Sequence, residues 1–170
     1  DYLYYRSAAN KINAFSNIDA TIYGIEVKSR YDLSDSNYFK LGATYKRGQK
    51  DDVVSSTELD KDLADITPLK GILSFNHEPD DYTHYKVEFV AADAWDNYDE
   101  DNGEQRLAGY GVFNLKAKKT FKKKYEVIVG IDNVSDKTYA ISNTYADLTL
   151  LGDGSTNEVM LLNEPGRYLY

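Results

Sequence analysis

Cysteine is absent from this 170-residue chain, which removes disulfides, CxxC metal sites and thiol catalysis together. Methionine and tryptophan occur once each and histidine twice, so soft-metal and imidazole sites have few possible ligands. Only three prolines are present. No apolar run approaches the roughly 18 residues of a membrane-spanning helix, and no segment holds a helical period. No basic-then-apolar leader is visible, so any signal peptide is expected outside the chain. Positive charge is in deficit as well: 20 Lys and Arg against 28 Asp and Glu leave a net charge of −8. That balance speaks against a nucleic-acid partner, because phosphate binding needs basic patches.

Tyrosine, by contrast, is abundant, with 16 Tyr against 6 Phe. Its large ring and single polar tip suit half-buried strands and wet boundaries. Apolar residues then alternate with polar ones over long stretches. Tyr23, Ile25, Val27 and Tyr31 lie opposite Gly24, Glu26, Lys28 and Arg30. Phe39, Leu41, Ala43 and Tyr45 alternate with Lys40, Gly42, Thr44 and Lys46, and Leu69, Leu73 and Phe75 with Lys70, Ser74 and Asn76. Tyr85, Val87, Phe89, Ala91 and Trp95 oppose His84, Lys86 and Glu88, with Asp93 as the exception. Phe113, Leu115 and Ala117 oppose Asn114, Lys116 and Lys118, and Tyr125, Val127, Val129 and Ile131 oppose Glu126, Gly130 and Asp132. A period of two sustained this long predicts an all-β chain of strands longer than the usual five or six residues.

The connections alternate too. Short ones at 34–37, 78–81 and 119–124 take turns with long ones at about 7–17, 51–65, 96–106 and 137–164. An up-and-down meander with tight turns at one end and large loops at the other has this form, and transmembrane barrels show the same asymmetry. Tyr31, Phe39, Phe75, Tyr82, Tyr85, Phe121 and Tyr125 lie close to the short turns, while Tyr23, Tyr45 and Trp95 sit nearer the long loops. Two aromatic bands around Val, Leu, Ile and Ala are what a hydrocarbon layer with two interfaces favours. Charge divides likewise: Lys116, Lys118, Lys119, Lys122, Lys123 and Lys124 cluster about the third short turn, and the loops holding Asp51, Asp52, Glu58, Asp60, Asp62, Asp65 and Asp96, Asp99, Glu100, Asp101, Glu104 are acidic. A soluble lipocalin-like barrel also alternates, with its apolar side inward. Strand length, loop asymmetry and the aromatic bands favour the membrane version.

Sites of chemistry are scarce. His77 and His84 flank a tight turn without a third ligand at suitable spacing, and read as residues near a barrel rim. The acidic stretch 93–104 fails the EF-hand pattern, because Asn102 stands where glycine is required. Asp99 and Asp101, and Met160 in the last long loop, are the candidate metal ligands; solvated acids and ordinary packing are the blander readings of the same residues. No Ser/His/Asp set, phosphate loop or paired-carboxylate motif occurs, so neither an enzyme nor a bound cofactor is expected.

Five segments, "NIDATIYGIEV" (17–27), "LADITPLKGILSF" (63–75), "GYGVFNLKAKKTF" (109–121), "GIDNVSDKTYA" (130–140) and "NEPGRYLY" (163–170), resemble TonB-dependent outer-membrane receptors in content and order. The most specific parts are Gly24-Ile25-Glu26, the run from Asp132 to Ala140, and Pro165-Gly166-Arg167. The copper-receptor branch is the nearest likeness, through Asn163 to Arg167 and the strand from Gly109 to Lys116, although Lys116 departs from the small polar residue expected there.

The resemblance implies a bacterial outer-membrane barrel of about 22 strands with a plugged lumen. On that expectation residues 1–170 are a C-terminal segment of about eight long antiparallel strands, with the plug and the N-terminal strands absent. Its partners are outer-membrane lipid, the rest of the barrel and its plug, TonB through the absent N-terminal region, and a metal or metal chelate such as copper or a ferric siderophore. Ile25, Val27, Leu41, Val87, Phe89, Leu115, Val127, Val129 and Ile131 are expected to face lipid. Glu26, Lys28, Arg30, Lys40, Lys86, Glu88, Lys116 and Asp132 are expected to face the lumen. Two rivals make different predictions: a complete eight-stranded structural or adhesive barrel requires a ladder between first and last strands, and a soluble ligand-binding barrel requires Val87, Phe89, Val127 and Val129 inside.

Overall fold

Alternation of β-branched and aromatic residues with polar ones produces long antiparallel strands joined by tight turns. A computed structural model describes residues 2–6, 14–54, 59–102, 104–141 and 163–170. Strands β1 (Tyr2–Arg6) and β2 (Ala14–Ile18) form a two-stranded sheet. Seven further strands, β3 (Ala20–Ser34), β4 (Asn37–Lys50), β5 (Lys70–Asp80), β6 (Thr83–Ala92), β7 (Tyr110–Phe121), β8 (Tyr125–Asp132) and β9 (Tyr168–Leu169), form one antiparallel sheet in sequence order. The order is a pure meander, as the alternation predicts. Helix is confined to one 3-10 turn at Glu100–Asn102 among the described residues.

Register makes the two faces explicit. Ile25 stands opposite Tyr45, Val27 opposite Ala43, Leu41 opposite Leu73, Leu73 opposite Phe89, Phe89 opposite Phe113, Val87 opposite Leu115 and Leu115 opposite Ile131. Directly opposed residues share a face, so these side chains form one apolar surface across the sheet. Phe39–Phe75 and Phe89–Phe113 are tilted ring pairs on it, with centroids 5.2 and 4.7 Å apart. Arg30 opposes Lys40, Lys40 opposes Ser74, Asn76 and Glu88 oppose Lys86 and Asn114 respectively, and Lys116 opposes Gly130, which makes the other face polar.

Two expectations need correction. The strand read through Trp95 ends at Ala92. Asp93 still donates its N–H to the Leu69 carbonyl at 2.9 Å, but its carboxylate accepts the Ala94 N–H at 2.8 Å, and beyond it Trp95 turns inward to 4% exposure instead of joining an outer aromatic band. The segment read as the end of a first loop contains strand β2, separated from β3 only by Asp19. No ladder joins β9 to β1, β2 or β3 among the described residues, so the complete eight-stranded barrel finds no support.

The buried hydrophobic residues are few and lie largely at the long-loop end. Trp95, Leu107 and Ala140 pack together there, with Tyr98 against them. Leu63 and Ile66 close over Gly48 of β4, where an added Cβ would meet them at 3.1 and 2.8 Å. Gly48 shares the face of Lys46 and Lys50, so the loops fold over the polar side of the sheet and leave the apolar side bare.

Candidate functional site

The polar face and its loop cover form the candidate site. Its floor is strand residues Glu26, Lys28, Thr44, Lys70, Ile72 and Tyr110, and its roof comes from two loops, through Thr67 and Pro68 of one and Trp95 and Leu107 of the other. Ala140 and Ile141, from the segment after β8, close a third side of this cavity of about 410 Å³. The Glu26–Lys28 pair, 2.7 Å apart, lies at its edge in solvent, where such a pair stabilises little.

Acidic side chains hold the roof together instead of collecting in solvent. Lys50 Nζ meets Asp99 Oδ2 at 2.9 Å with both side chains fully buried. The Glu104 carboxylate spans the two loops: Oε1 accepts the Asp65 N–H and Oε2 the Asp99 N–H, each at 2.8 Å. Asp60 accepts the Glu100 N–H at 2.9 Å and the Asp62 N–H at 2.8 Å, and Asp101 accepts the Asp60 N–H at 2.7 Å. Burial pushes the Glu104 carboxyl above its ordinary value, outweighing the two backbone donors that favour the anion.

The motif that follows β8 is a second clasp. Asn133 and Asp136 both take positive φ (51° and 57°), a region that asparagine and aspartate tolerate better than most residues. Asn133 accepts the Lys137 N–H at 2.9 Å and donates to the Lys137 carbonyl at 2.7 Å, while its own N–H is accepted by Asn114. Asp136 Oδ1 accepts the Arg167 N–H at 2.7 Å, and Arg167 Nε donates to the Val134 carbonyl at 2.9 Å. A Cβ at Gly166 would stand 2.6 Å from that carboxylate oxygen and push it from its place beside Arg167. The Tyr139 ring packs, tilted, against Tyr110 with centroids 4.3 Å apart, and Ala140 after it packs with Trp95 and Leu107. The Asn-x-x-Asp and Pro-Gly-Arg segments are therefore two halves of one junction.

All nine residues expected to face lipid share the apolar face, and all eight expected to face the lumen share the polar one. Among the lumen set, Lys86 pairs with Glu88, and Arg30 lies 3.8 Å from the Tyr38 ring centroid beside Asp32. His77 and His84 project from opposite faces; His77 Nδ1 contacts Asn37 Oδ1 at 2.8 Å and His84 Nε2 contacts Asn76 Oδ1 at 3.0 Å, so they are not a metal pair. Asp99 and Asp101 are absorbed in the loop brace, and no group of three or more metal-ligating side chains occurs among the described residues. Met160, Glu58 and most of the last long loop lie outside those residues. Lys50, Glu104 and Tyr139 escaped sequence reasoning as site-builders, because nothing local in the sequence marks their distant partners.

Comparison with known proteins gives consistent findings. A family profile described as "TonB dependent receptor-like, beta-barrel" matches residues 1–134. No curated protein matches the sequence. Among solved structures, the copper transporter OprC superposes with a TM-score of 0.78 at 22% identity, over 98% of this chain and 26% of that one. The ferric yersiniabactin uptake receptor FyuA from Yersinia pestis superposes with a TM-score of 0.68 at 12% identity, over 92% of this chain and 23% of that one. At these identities the likeness concerns the fold, and the chain spans about a quarter of either structure.

Proposed function

The chain belongs to the TonB-dependent receptor β-barrel family, and on that premise we propose that it forms part of the wall and external loops of an outer-membrane receptor. The receptor imports a metal or metal chelate, copper or a ferric siderophore, with energy delivered through TonB. Residues 1–170 are the C-terminal part of its barrel; the other strands, the plug and the TonB-contacting region belong to the rest of the receptor. The apolar face meets lipid, and the polar face lines the lumen beside the plug.

The bare apolar face carries this reading. Ile25, Val27, Leu41, Leu73, Val87, Leu115, Val127 and Val129 are all exposed on it, Ile25 by 63%. Leaving these side chains in water forgoes on the order of 10 kcal/mol, as much as the whole stability of a typical domain. A contiguous face of that kind marks a surface with a partner. Tyr23 and Tyr31 lie at its two ends on one strand, eight residues apart. At about 3.3 Å per residue and a tilt of about 40°, this spans roughly 20 Å of membrane normal, close to the band of a transmembrane barrel. The loops fold over the polar face and leave Val87, Val127 and Val129, 43–53% exposed, on the other, which supports lipid over a soluble barrel's interior as their surroundings.

The test is uptake of copper and of ferric siderophores by cells with and without the complete gene, each with and without TonB. Loss of copper uptake alone selects the copper branch. Loss of siderophore uptake alone selects the other. Unchanged uptake of both in the deletion overturns the transport reading.

A further inference from the structure

The turn between β7 and β8 is built from residues that its backbone does not favour. Lys122 and Lys123 have φ of 51° and 56°, the paired left-handed geometry of a type I′ hairpin, and the Lys124 N–H closes it on the Phe121 carbonyl at 3.0 Å. Asn-Gly is the usual solution there, because a lysine Cβ is strained at positive φ. Lysines at these positions gain nothing for the turn, so the reason for them lies outside it.

Their surroundings indicate what that reason is. All three are exposed, and among the described residues none has a carboxylate within salt-bridge distance. Neighbouring Lys118 and Lys119 do, pairing with Glu126 at 2.6 Å and Asp80 at 3.3 Å. Lys123 Nζ lies 5.8 Å from the centroid of the Tyr82 ring. Phe121 and Tyr125, opposed across the strand pair and 49% and 65% exposed, border the turn on the apolar face. Three unneutralised cations thus sit just beyond a rim of exposed aromatic rings, at the edge of a surface read here as lipid-facing. An aromatic rim marks the depth at which head groups lie, and cations immediately past it meet the phosphodiesters.

We propose that Lys122, Lys123 and Lys124 form a binding site for anionic phospholipid head groups in the leaflet at the short-turn end of the barrel. The inference rests on the outer-membrane reading. Charge complementarity selects the lipid: a zwitterionic head group offsets its own phosphate, whereas a phosphatidylglycerol leaves a net negative charge for the lysines. Surface lysines contribute a preference of roughly fivefold each, weakening as salt shortens the screening length.

The experiment reconstitutes the complete receptor into vesicles of phosphatidylethanolamine doped with phosphatidylglycerol and counts retained lipids by native mass spectrometry. The expected result is enrichment of phosphatidylglycerol by at least about fivefold, declining with salt. Two variants are compared, Lys122→Gln/Lys123→Gln/Lys124→Gln and Lys122→Asn/Lys123→Gly. The second supplies the residues a type I′ turn prefers, so it keeps or improves the hairpin while removing two cations. Both should lose most of the enrichment. Equal enrichment in wild type and variants, or none in a wild-type receptor that inserts, overturns the site. A receptor that fails to enter any bilayer overturns the outer-membrane reading instead.

Discussion

Lys50 and Asp99, 49 residues apart in sequence, meet at 2.9 Å with neither side chain touching solvent, and so bind the end of β4 to the loop after β6. Removing one partner leaves the other charge buried, at a cost of about 3–5 kcal/mol, whereas replacing both by apolar residues of similar volume is close to neutral. Asp99→Asn should therefore speed hydrogen exchange in residues 59–69 and 93–108, and Lys50→Met/Asp99→Leu should restore much of the protection. A double variant as unprotected as the single one would mean that the pair does more than neutralise itself.

Glu104 sets a pH dependence for the same loops. Burial raises its folded-state pKa above the ordinary 4.5, and the nearby Asp65 and Asp99 carboxylates add to the rise against the two backbone donors. A raised pKa means that the folded state holds the proton more tightly than the unfolded one. The contribution of this group is thus fully present below pH 4.5 and is lost as pH rises through the elevated folded value. Protection factors in the loops, corrected for intrinsic exchange, should decline over that window in the wild type and stay flat in Glu104→Gln. A decline of the same size in the variant would assign the effect to another group.

Two glycines on the polar face provide a matched pair. An added Cβ at Gly24 would run into the Tyr45 carbonyl of the neighbouring strand, while at Gly42 it meets nothing within 4 Å. Gly24→Ala should cost about 1–3 kcal/mol by forcing the β3–β4 ladder apart, and Gly42→Ala should stay near zero. The measurement is the urea midpoint of the folded receptor. Equal midpoints would show that the ladder relaxes freely, and that Gly24 stands in its motif for another reason.

Much of this architecture is legible in the sequence because a strand buries or exposes its faces by parity. The alternation around Val127 and Val129 therefore predicts face membership for every residue with a neighbour two positions away. Trp95 keeps the same parity as Ala91, so parity alone puts it on the wrong side; Asp93, which breaks the pattern, marks where the strand ends. The loop brace had no such signal. An aspartate such as Asp99 in an acid-rich stretch looks solvated until a lysine 49 residues away arrives beside it. Family motifs gave position without cause. Asp136 and Gly166 look like unrelated markers until a hydrogen bond to Arg167 joins them.

That junction can be separated into geometry and hydrogen bonding at Asn133. Its φ of 51° favours Gly or Asn, and its side chain makes two bonds to Lys137. Asn133→Gly keeps the backbone and loses the side-chain bonds; Asn133→Ala loses the bonds and also strains the backbone. The lost bonds, about 1 kcal/mol each, are common to both variants, and the strain of left-handed backbone adds about 1 kcal/mol for Ala alone. Equilibrium unfolding decides this, and an Ala variant as stable as the Gly one would remove backbone strain from the account.

The direction of the two faces is open to a direct substitution test. Val129 lies on the apolar face and is 53% exposed, and Ile128, one residue away, lies on the polar face opposite Lys118. In a bilayer an arginine on the lipid side costs about 2–4 kcal/mol near the midplane, while charge on the lumen side is hydrated. Val129→Arg should therefore lower the fraction of receptor folded into membranes, read from its heat-modifiable mobility on gels. Ile128→Glu, placed against Lys118, should leave that fraction unchanged. The reverse outcome would put the apolar face inside the protein and exclude lipid as its partner.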